Sequence, residues 1–192
     1  MIKIKKLNIQ LIFLPLIFIV FFNKIYADDK VIDGQKIKKD KYFKDADFRK
    51  KFLERFNFQD SELSYANFSG SNLRQANFNG ANLKGATFIN ANLHNADLRG
   101  ANLNDADLKG ANVNKTKFRG ANLNFAIFKD NDMRGVVLIG SKANYSDFRG
   151  TNLQYANLQG ASFIGSDAFS FSTGAKFSSV TVSGLTSISI PI

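Results

Sequence analysis

Residues 91–105 read ANLHN, ADLRG and ANLND, which are three copies of one five-residue unit. Every fifth position from Phe48 to Phe163 is apolar, and Leu or Phe fills 21 of these 24 positions. A second series, two residues earlier, runs from Ser61 to Ala161 and contains 13 Ala among its 21 members. A unit this short cannot form a domain alone, so it must bury its apolar side against neighbouring copies in a coil.

The unit has the periodicity of extended backbone. In Ala-Asn-Leu the side chains point in, out and in, whereas a helix would require apolar residues three and four apart. Eleven of the 14 glycines occupy the fifth position of the unit, and Asn90 and Asn95 share it. Gly and Asn tolerate the positive φ that the third residue of a type II turn adopts. We therefore expect a polygonal coil with a corner every five residues.

The A-(D/N)-L-x-x pattern resembles the pentapeptide-repeat proteins over roughly the middle two-thirds of the chain. This resemblance implies an all-β fold, a right-handed quadrilateral β-helix with four units in each coil. Residues four units apart would then stack at strand spacing, ~4.8 Å. The structural core is expected to include Phe68, Leu83, Leu103, Leu123 and Phe148.

Residues 1–27 have the pattern of a secretory signal peptide. Lysines precede an apolar run from Leu7 to Phe22, and the small residue Ala27 stands before Asp28. An uncleaved membrane anchor is the alternative, although the run is short for the roughly 20 residues of a bilayer span. The pattern predicts export to the periplasm or the extracellular space, or to the thylakoid lumen if the source is phototrophic.

Regular coils are expected over residues 58–163, with a polar lead and an N-terminal cap over 28–57. Phe48, Phe52 and Phe56 are four apart, so a short amphipathic helix or an irregular first coil is expected near them.

The repeat phase breaks after Phe163. Val180-Thr181-Val182 and Ile188-Ser189-Ile190 alternate as strands do, so residues 164–192 predict a strand-like C-terminal cap. An exposed edge at this end could pair two copies of the chain.

Polar residues at inward and outward phases lead to two structural expectations. Asn131 falls in the inward small-residue series, where its buried amide needs partners that neighbouring backbone could supply. On a four-sided coil, one outward side would carry stacked asparagines in an amide ladder: Asn72, Asn92, Asn112 and Asn152.

Two outward series are candidate interaction sites, each with a solvated surface as the alternative. A candidate interaction face would carry a column of basic residues: Arg49, Lys109, Lys129 and Arg149. We name this the basic column. A candidate aromatic patch would lie at one corner: Tyr65, Phe125 and Tyr145. Stacked exposed aromatic residues can mark an interface.

The sequence contains no set of catalytic residues. His94 is the one histidine, it falls at an outward phase, and there is no cysteine. We therefore expect no enzyme activity, cofactor, metal site or small-molecule substrate. The expected role is a non-enzymatic exported scaffold or protein-interaction module.

The charge leaves an alternative function open. The net charge of +10 permits binding of an anionic polymer along the basic column. Pentapeptide-repeat proteins that mimic DNA to engage a topoisomerase are negatively charged and cytosolic, so the basic charge and the export signal disfavour that role.

Overall fold

The computed structural model describes residues 42–167, 169–170, 174–176, 178–184 and 188–189. All of them lie in one compact unit, Lys39–Ile192. The expected signal peptide, residues 1–27, lies outside this described part. Among the described residues there is no helix with the length and apolar character needed to cross a membrane.

The backbone forms a four-sided coil in which residues 20 apart pair in parallel. Tyr42 pairs with Glu62, and the same spacing continues up to the pair of Asp147 with Asp167. Successive bridges are five residues apart, so each coil has four sides. At ~4.8 Å per coil, the part from 42 to 167 forms a rod roughly 30 Å long.

Each corner is a tight turn that begins at the buried apolar residue. The N–H of Ala96, for example, donates to the carbonyl of Leu93 at 2.8 Å. Every fifth residue from Asp45 to Gly165 has a positive φ, between 53° and 72°. This is the third position of the turn, as the glycine spacing predicts. Fourteen of these 25 residues nevertheless carry a side chain. Thirteen of them donate their backbone N–H to a carbonyl of the next coil, which holds them in this unfavourable region.

The core is a continuous stack of the apolar residues that begin the turns. From Phe58 to Phe163 each fifth side chain is at most 1% exposed, and this set includes all five residues expected in the core. Rings one coil apart are stacked, as for Phe68 and Phe88 with centroids 5.0 Å apart. Rings half a coil apart meet edge to face, as for Phe58 and Phe68 at 5.6 Å. Both geometries are favourable for aromatic pairs.

The expectation of a short helix or an irregular first coil near Phe48, Phe52 and Phe56 is wrong, because the described residues from Tyr42 onward already form regular coil. Phe52 forms a parallel bridge with Asn72, although its side chain is 81% exposed. Leu53 is only 4% exposed, and its N–H donates to the carbonyl of Asn72 at 2.8 Å. Burial of the apolar third residue of each unit and hydrogen bonding to the next coil therefore prevail over the local helical spacing of the phenylalanines.

The C-terminal segment continues the coil with one residue fewer. Lys176 pairs with Asn157 and Thr181 with Ser162, at a spacing of 19 residues. Two short strands, β1 (Phe169–Ser170) and β2 (Ile188–Ser189), pair in parallel at the same spacing. The phase break after Phe163 is therefore a one-residue shortening of a coil. Ala168 and Thr173, which fall at core phases of the uninterrupted repeat, lie outside the described residues.

Asn131 does not obtain the partners expected for it. The residue is 2% exposed, and neither its amide nitrogen nor its amide oxygen has a hydrogen-bond partner. In the same column, the hydroxyls of Ser71 and Thr151 donate to the carbonyl three residues earlier, at 2.6 and 2.8 Å. A short hydroxyl can therefore satisfy itself within its own turn at a position where the asparagine amide is left unpaired.

The amide ladder forms on the side of the coil opposite the expected one. Asn122 donates from Nδ2 to Oδ1 of Asn102 at 3.2 Å, and Asn102 donates to Asn82 at 3.1 Å. On the expected side, the asparagine oxygens accept the backbone N–H two residues later, as Asn92 does from His94 at 3.2 Å. Those asparagine side chains therefore stabilise the turns that follow them in the chain.

Candidate interaction face

The coil brings together two of the three residues of the candidate aromatic patch. Phe125 and Tyr145 lie on successive coils at one corner, and their rings stack with centroids 5.3 Å apart and planes 13° apart. They are 51% and 58% exposed. Tyr65 is three coils earlier in the same column, beyond Gly85 and Asp105. It therefore does not belong to this stack, and its ring lies against Gly85 instead.

Hydrogen bonds between successive coils fix the backbone at the stacked pair. The N–H of Phe125 donates to the carbonyl of Asn144 at 2.9 Å, and that of Tyr145 donates to the carbonyl of Ile164 at 2.8 Å. The side-chain oxygen of Asn144 also accepts the backbone N–H of Ile164 at 2.9 Å. The backbone N–H of Asn144 donates to Oδ1 of Asn124 at 3.0 Å. The two rings are therefore presented by a corner that needs little ordering when a partner binds.

The basic column is continuous for three of its four residues. Lys109, Lys129 and Arg149 lie on successive coils, whereas Arg49 is three coils before Lys109, with Ser69 and Ile89 at the positions between.

Both arginines of this column are bonded to an aspartate two residues earlier. Arg149 donates from Nε to Asp147 at 2.8 Å and from Nη2 at 2.5 Å. Arg49 holds Asp47 in the same way, with Nη2 and Oδ2 2.7 Å apart. Half of the column's cations are thus paired locally.

These pairs shift the pKa values of the aspartates. Hydrogen bonds from Arg49 lower the pKa of Asp47 to about 2. The corresponding bonds from Arg149 lower the pKa of Asp147. The arginines are exposed to solvent, so each pair contributes little to stability. Its main effect is to occupy a carboxylate that would otherwise be open to other cations.

Lys109 and Lys129 differ from the arginines because their amino groups form no ion pair with a carboxylate of the described residues. Across the described coils, neither amino group has an Asp or Glu oxygen within 4.0 Å. The nearby Asp107 instead uses Oδ1 to accept the backbone N–H of Lys109 at 2.9 Å.

The aromatic corner and the basic column border the same side of the coil. Phe125, Ile127 and Lys129 alternate outward along one coil, and Ile127 is 37% exposed. Ile127 forms bridges with Asp107 on one neighbouring coil and Asp147 on the other. We call this surface the mixed face and define it by three apolar and three basic residues: Phe125, Ile127, Tyr145, Lys109, Lys129 and Arg149.

Sequence reasoning missed Ile127, although its signal was present. It occupies the outward position of the unit, which Asn or Asp fills in most copies, and it lies midway between Phe125 and Lys129. Another exposed aromatic residue, Tyr155, lies on a different corner, where its ring packs against Gly174. Over the described coils, no group of three His, Cys, Asp or Glu residues could hold a metal ion.

A family model described as pentapeptide repeats (8 copies) matches four overlapping segments of the chain, residues 42–75, 66–105, 101–138 and 132–167. A solved pentapeptide repeat protein from the Arabidopsis thaliana thylakoid lumen is 38% identical, with a TM-score of 0.49. That alignment covers 50% of this chain and 66% of that protein. No curated protein matches the chain.

A trypsin-treated form of QnrB1, a plasmid-mediated fluoroquinolone resistance protein, has a TM-score of 0.53 at 16% identity. The alignment covers 74% of this chain and 89% of that one, and it shows a shared fold. The family match spans well over half of the chain, and the matched segments coincide with the part of the coil that the bridges define. The chain therefore belongs to the pentapeptide repeat family.

Proposed function

We propose that this protein is a non-enzymatic, exported scaffold that binds a protein partner through the mixed face. The observation that carries the proposal is the stacked pair of Phe125 and Tyr145, half-exposed at a corner fixed by hydrogen bonds. Binding hot spots are typically aromatic residues at the centre of a patch with a polar or charged rim. Ile127 extends this apolar centre, and Lys109, Lys129 and Arg149 form one rim.

Several features support a binding role over a catalytic one. The chain has one histidine and no cysteine, and His94 lies on an outward corner. Asp47 and Asp147 are each bonded to an arginine, which makes them poor candidates for proton transfer. Export rests on the signal pattern of residues 1–27. The corresponding destination is the periplasm or the cell exterior, or the thylakoid lumen in a phototroph.

Binding of an anionic polymer along the basic column is less well supported. Such a ligand requires an uninterrupted row of available cations. Arg49 and Arg149 are paired with aspartates, and two uncharged residues separate Arg49 from Lys109. Pairing of two copies through the C-terminal edge stays a separate prediction, because 11 of the 29 residues in 164–192, including 190–192, lie outside the described residues.

The proposal is tested by comparing three forms of the full-length protein, each produced in the native host with an affinity tag. They are the wild type, the double variant Phe125→Ser/Tyr145→Ser, and the control Tyr155→Ser. Tyr155 is as exposed as the stacked pair and occupies the same turn position at another corner. Thermal unfolding first confirms that the variants are folded.

Quantitative mass spectrometry of the captured proteins gives the result. Because hot-spot residues typically contribute 2 kcal/mol or more, we expect a partner whose recovery falls about 10-fold or more in the double variant alone. Capture profiles that do not differ between the wild type and the double variant would overturn the proposal.

A further inference from the structure

We propose that the partner docks an acidic and apolar linear segment on the mixed face, an inference that rests on the proposed function. An apolar side chain of the segment packs against Phe125, Ile127 and Tyr145. A carboxylate of the segment binds between Lys109 and Lys129.

The geometry of the coil sets the spacing within this segment. Phe125 and Lys129 lie at the two ends of one side of the coil, four residues apart, with Ile127 between them. At about 3.3 Å per residue, these ends are roughly 13 Å apart. An extended segment lying along this side would therefore carry its apolar residue and its acidic residue within about four positions of each other.

The charges of the mixed face explain why an acid fits at the lysines. Lys109 and Lys129 are on adjacent coils, ~4.8 Å apart along the rod, so their like charges repel. The nearest carboxylates, Asp107 and Asp147, offset this repulsion only in part, because neither forms an ion pair with a lysine of the column. Asp147 offers both oxygens to Arg149, and Asp107 accepts the N–H of Lys109. A carboxylate from outside the protein relieves the repulsion without displacing an internal ion pair.

The surrounding charge also gives the segment a direction. Asp105 lies one coil before Phe125 in the aromatic column, where its carboxylate meets the side chain of Asn104. Asp105 therefore repels an acidic residue of the partner from the aromatic edge. Lys109 and Lys129 attract it to the other edge, where Asp130 opposes part of that attraction. Over residues 42–192, 17 Lys and Arg outnumber 12 Asp and Glu, which favours encounter with an acidic partner.

The test uses a display library of random linear peptides, selected on the immobilised full-length protein. We expect enriched peptides that place Phe, Tyr, Leu or Ile within about four residues of Asp or Glu. Enriched peptides are then synthesised, and their Kd values are measured by fluorescence polarisation.

Three variants make the measurement specific. The Kd should rise about 10-fold or more for Lys109→Gln/Lys129→Gln and for Phe125→Ser/Tyr145→Ser. It should be unchanged for Lys115→Gln/Lys117→Gln, which removes the same charge from other sides of the coil.

Each outcome separates the partner chemistry from the proposed function. Peptides that require Phe125 and Tyr145 but bind the Lys109→Gln/Lys129→Gln variant equally well overturn the acidic segment alone. Failure to enrich any peptide, or lysine-dependent binding of heparin in its place, also overturns the segment. The proposed function itself is overturned only by the capture experiment, in which no partner depends on the stacked pair.

Discussion

Single residues at the corners decide how closely successive coils can approach. A Cβ added to Gly85 would lie 2.6 Å from the ring of Tyr65, and one added to Gly165 would meet Tyr145 at the same distance. At Gly100, in contrast, an added Cβ would meet nothing within 4 Å. Both Gly85 and Gly100 have a φ near 65°. Some glycines are therefore required for φ alone, and others also make room for an aromatic ring.

This difference predicts unequal effects of two alanine substitutions. Gly100→Ala introduces only the cost of a left-handed alanine and should lower the free energy of unfolding by about 1 kcal/mol. Gly85→Ala must also displace the ring of Tyr65, so we expect a further loss of about 1 kcal/mol. Urea denaturation measures both. In a Tyr65→Ser background the two losses should become equal, and equal losses in the wild-type background would contradict the assigned packing.

At the level of the structural element, the corners share one stabilising side-chain hydrogen bond. The outward Asn or Asp of a unit accepts the backbone N–H two residues later, as Asp97 does from Arg99 at 3.2 Å. Where the outward residue is Asp and that later residue is Arg, the Arg side chain also binds the carboxylate, so turn and ion pair form together. This occurs in four units: Asp47–Arg49, Asp97–Arg99, Asp132–Arg134 and Asp147–Arg149.

The four pairs predict a specific loss of stability in acid. In the folded protein the pKa values of these aspartates lie below their ordinary value of 3.8, reaching about 2 for Asp47. A lowered pKa stabilises the fold above the unfolded-state pKa, and this contribution is lost as the pH falls from about 4 to about 2. We therefore expect the Tm to fall over this range.

Replacing the four aspartates with asparagine provides the control. Asparagine keeps the acceptor for the turn but has no charge to titrate, so the Tm of this variant should fall less between pH 4 and pH 2. The expected difference is small, because each exposed pair contributes about 1 kcal/mol or less. An identical acid response of the two proteins would show that the pairs contribute nothing measurable.

Much of the coil could be predicted from sequence because its rules are local. Period, inward phase and glycine corners are all visible in the five-residue unit. The first coil was misassigned, since the spacing of Phe48, Phe52 and Phe56 favours a helix unless bonds to the next coil are known. The unpaired amide of Asn131 depends on side-chain reach within a packed turn. The convergence of aromatic and basic residues on one side follows from the 20-residue coil, but the pairing of the arginines does not.

For the whole rod, stability depends on an unbroken core, because each coil contacts only the coils beside it. Leu103 lies in the middle of that core and is fully buried, whereas the adjacent Asn104 is at an outward corner. A charged side chain at position 103 would interrupt the apolar core between the coils before it and the coils after it.

We therefore expect Leu103→Lys to unfold the rod, with a loss of about 4 kcal/mol or more, because the buried ammonium group has no partner. Asn104→Lys adds the same charge one residue later and should change stability by no more than about 0.5 kcal/mol. Circular dichroism during thermal unfolding compares the two. Similar melting curves would mean that the inward phase has been assigned to the wrong residues.

The corner at every fifth residue has a consequence for how such a protein can evolve. An in-frame duplication of one unit preserves the inward phase and the positive φ, so the coil can still close. It also rotates every later unit by one side, so a duplication between Phe125 and Tyr145 would move these rings to different corners. Only gain or loss of a whole coil keeps the columns aligned. The fold therefore tolerates a change in the number of units. The surface columns are preserved only when units are gained or lost four at a time.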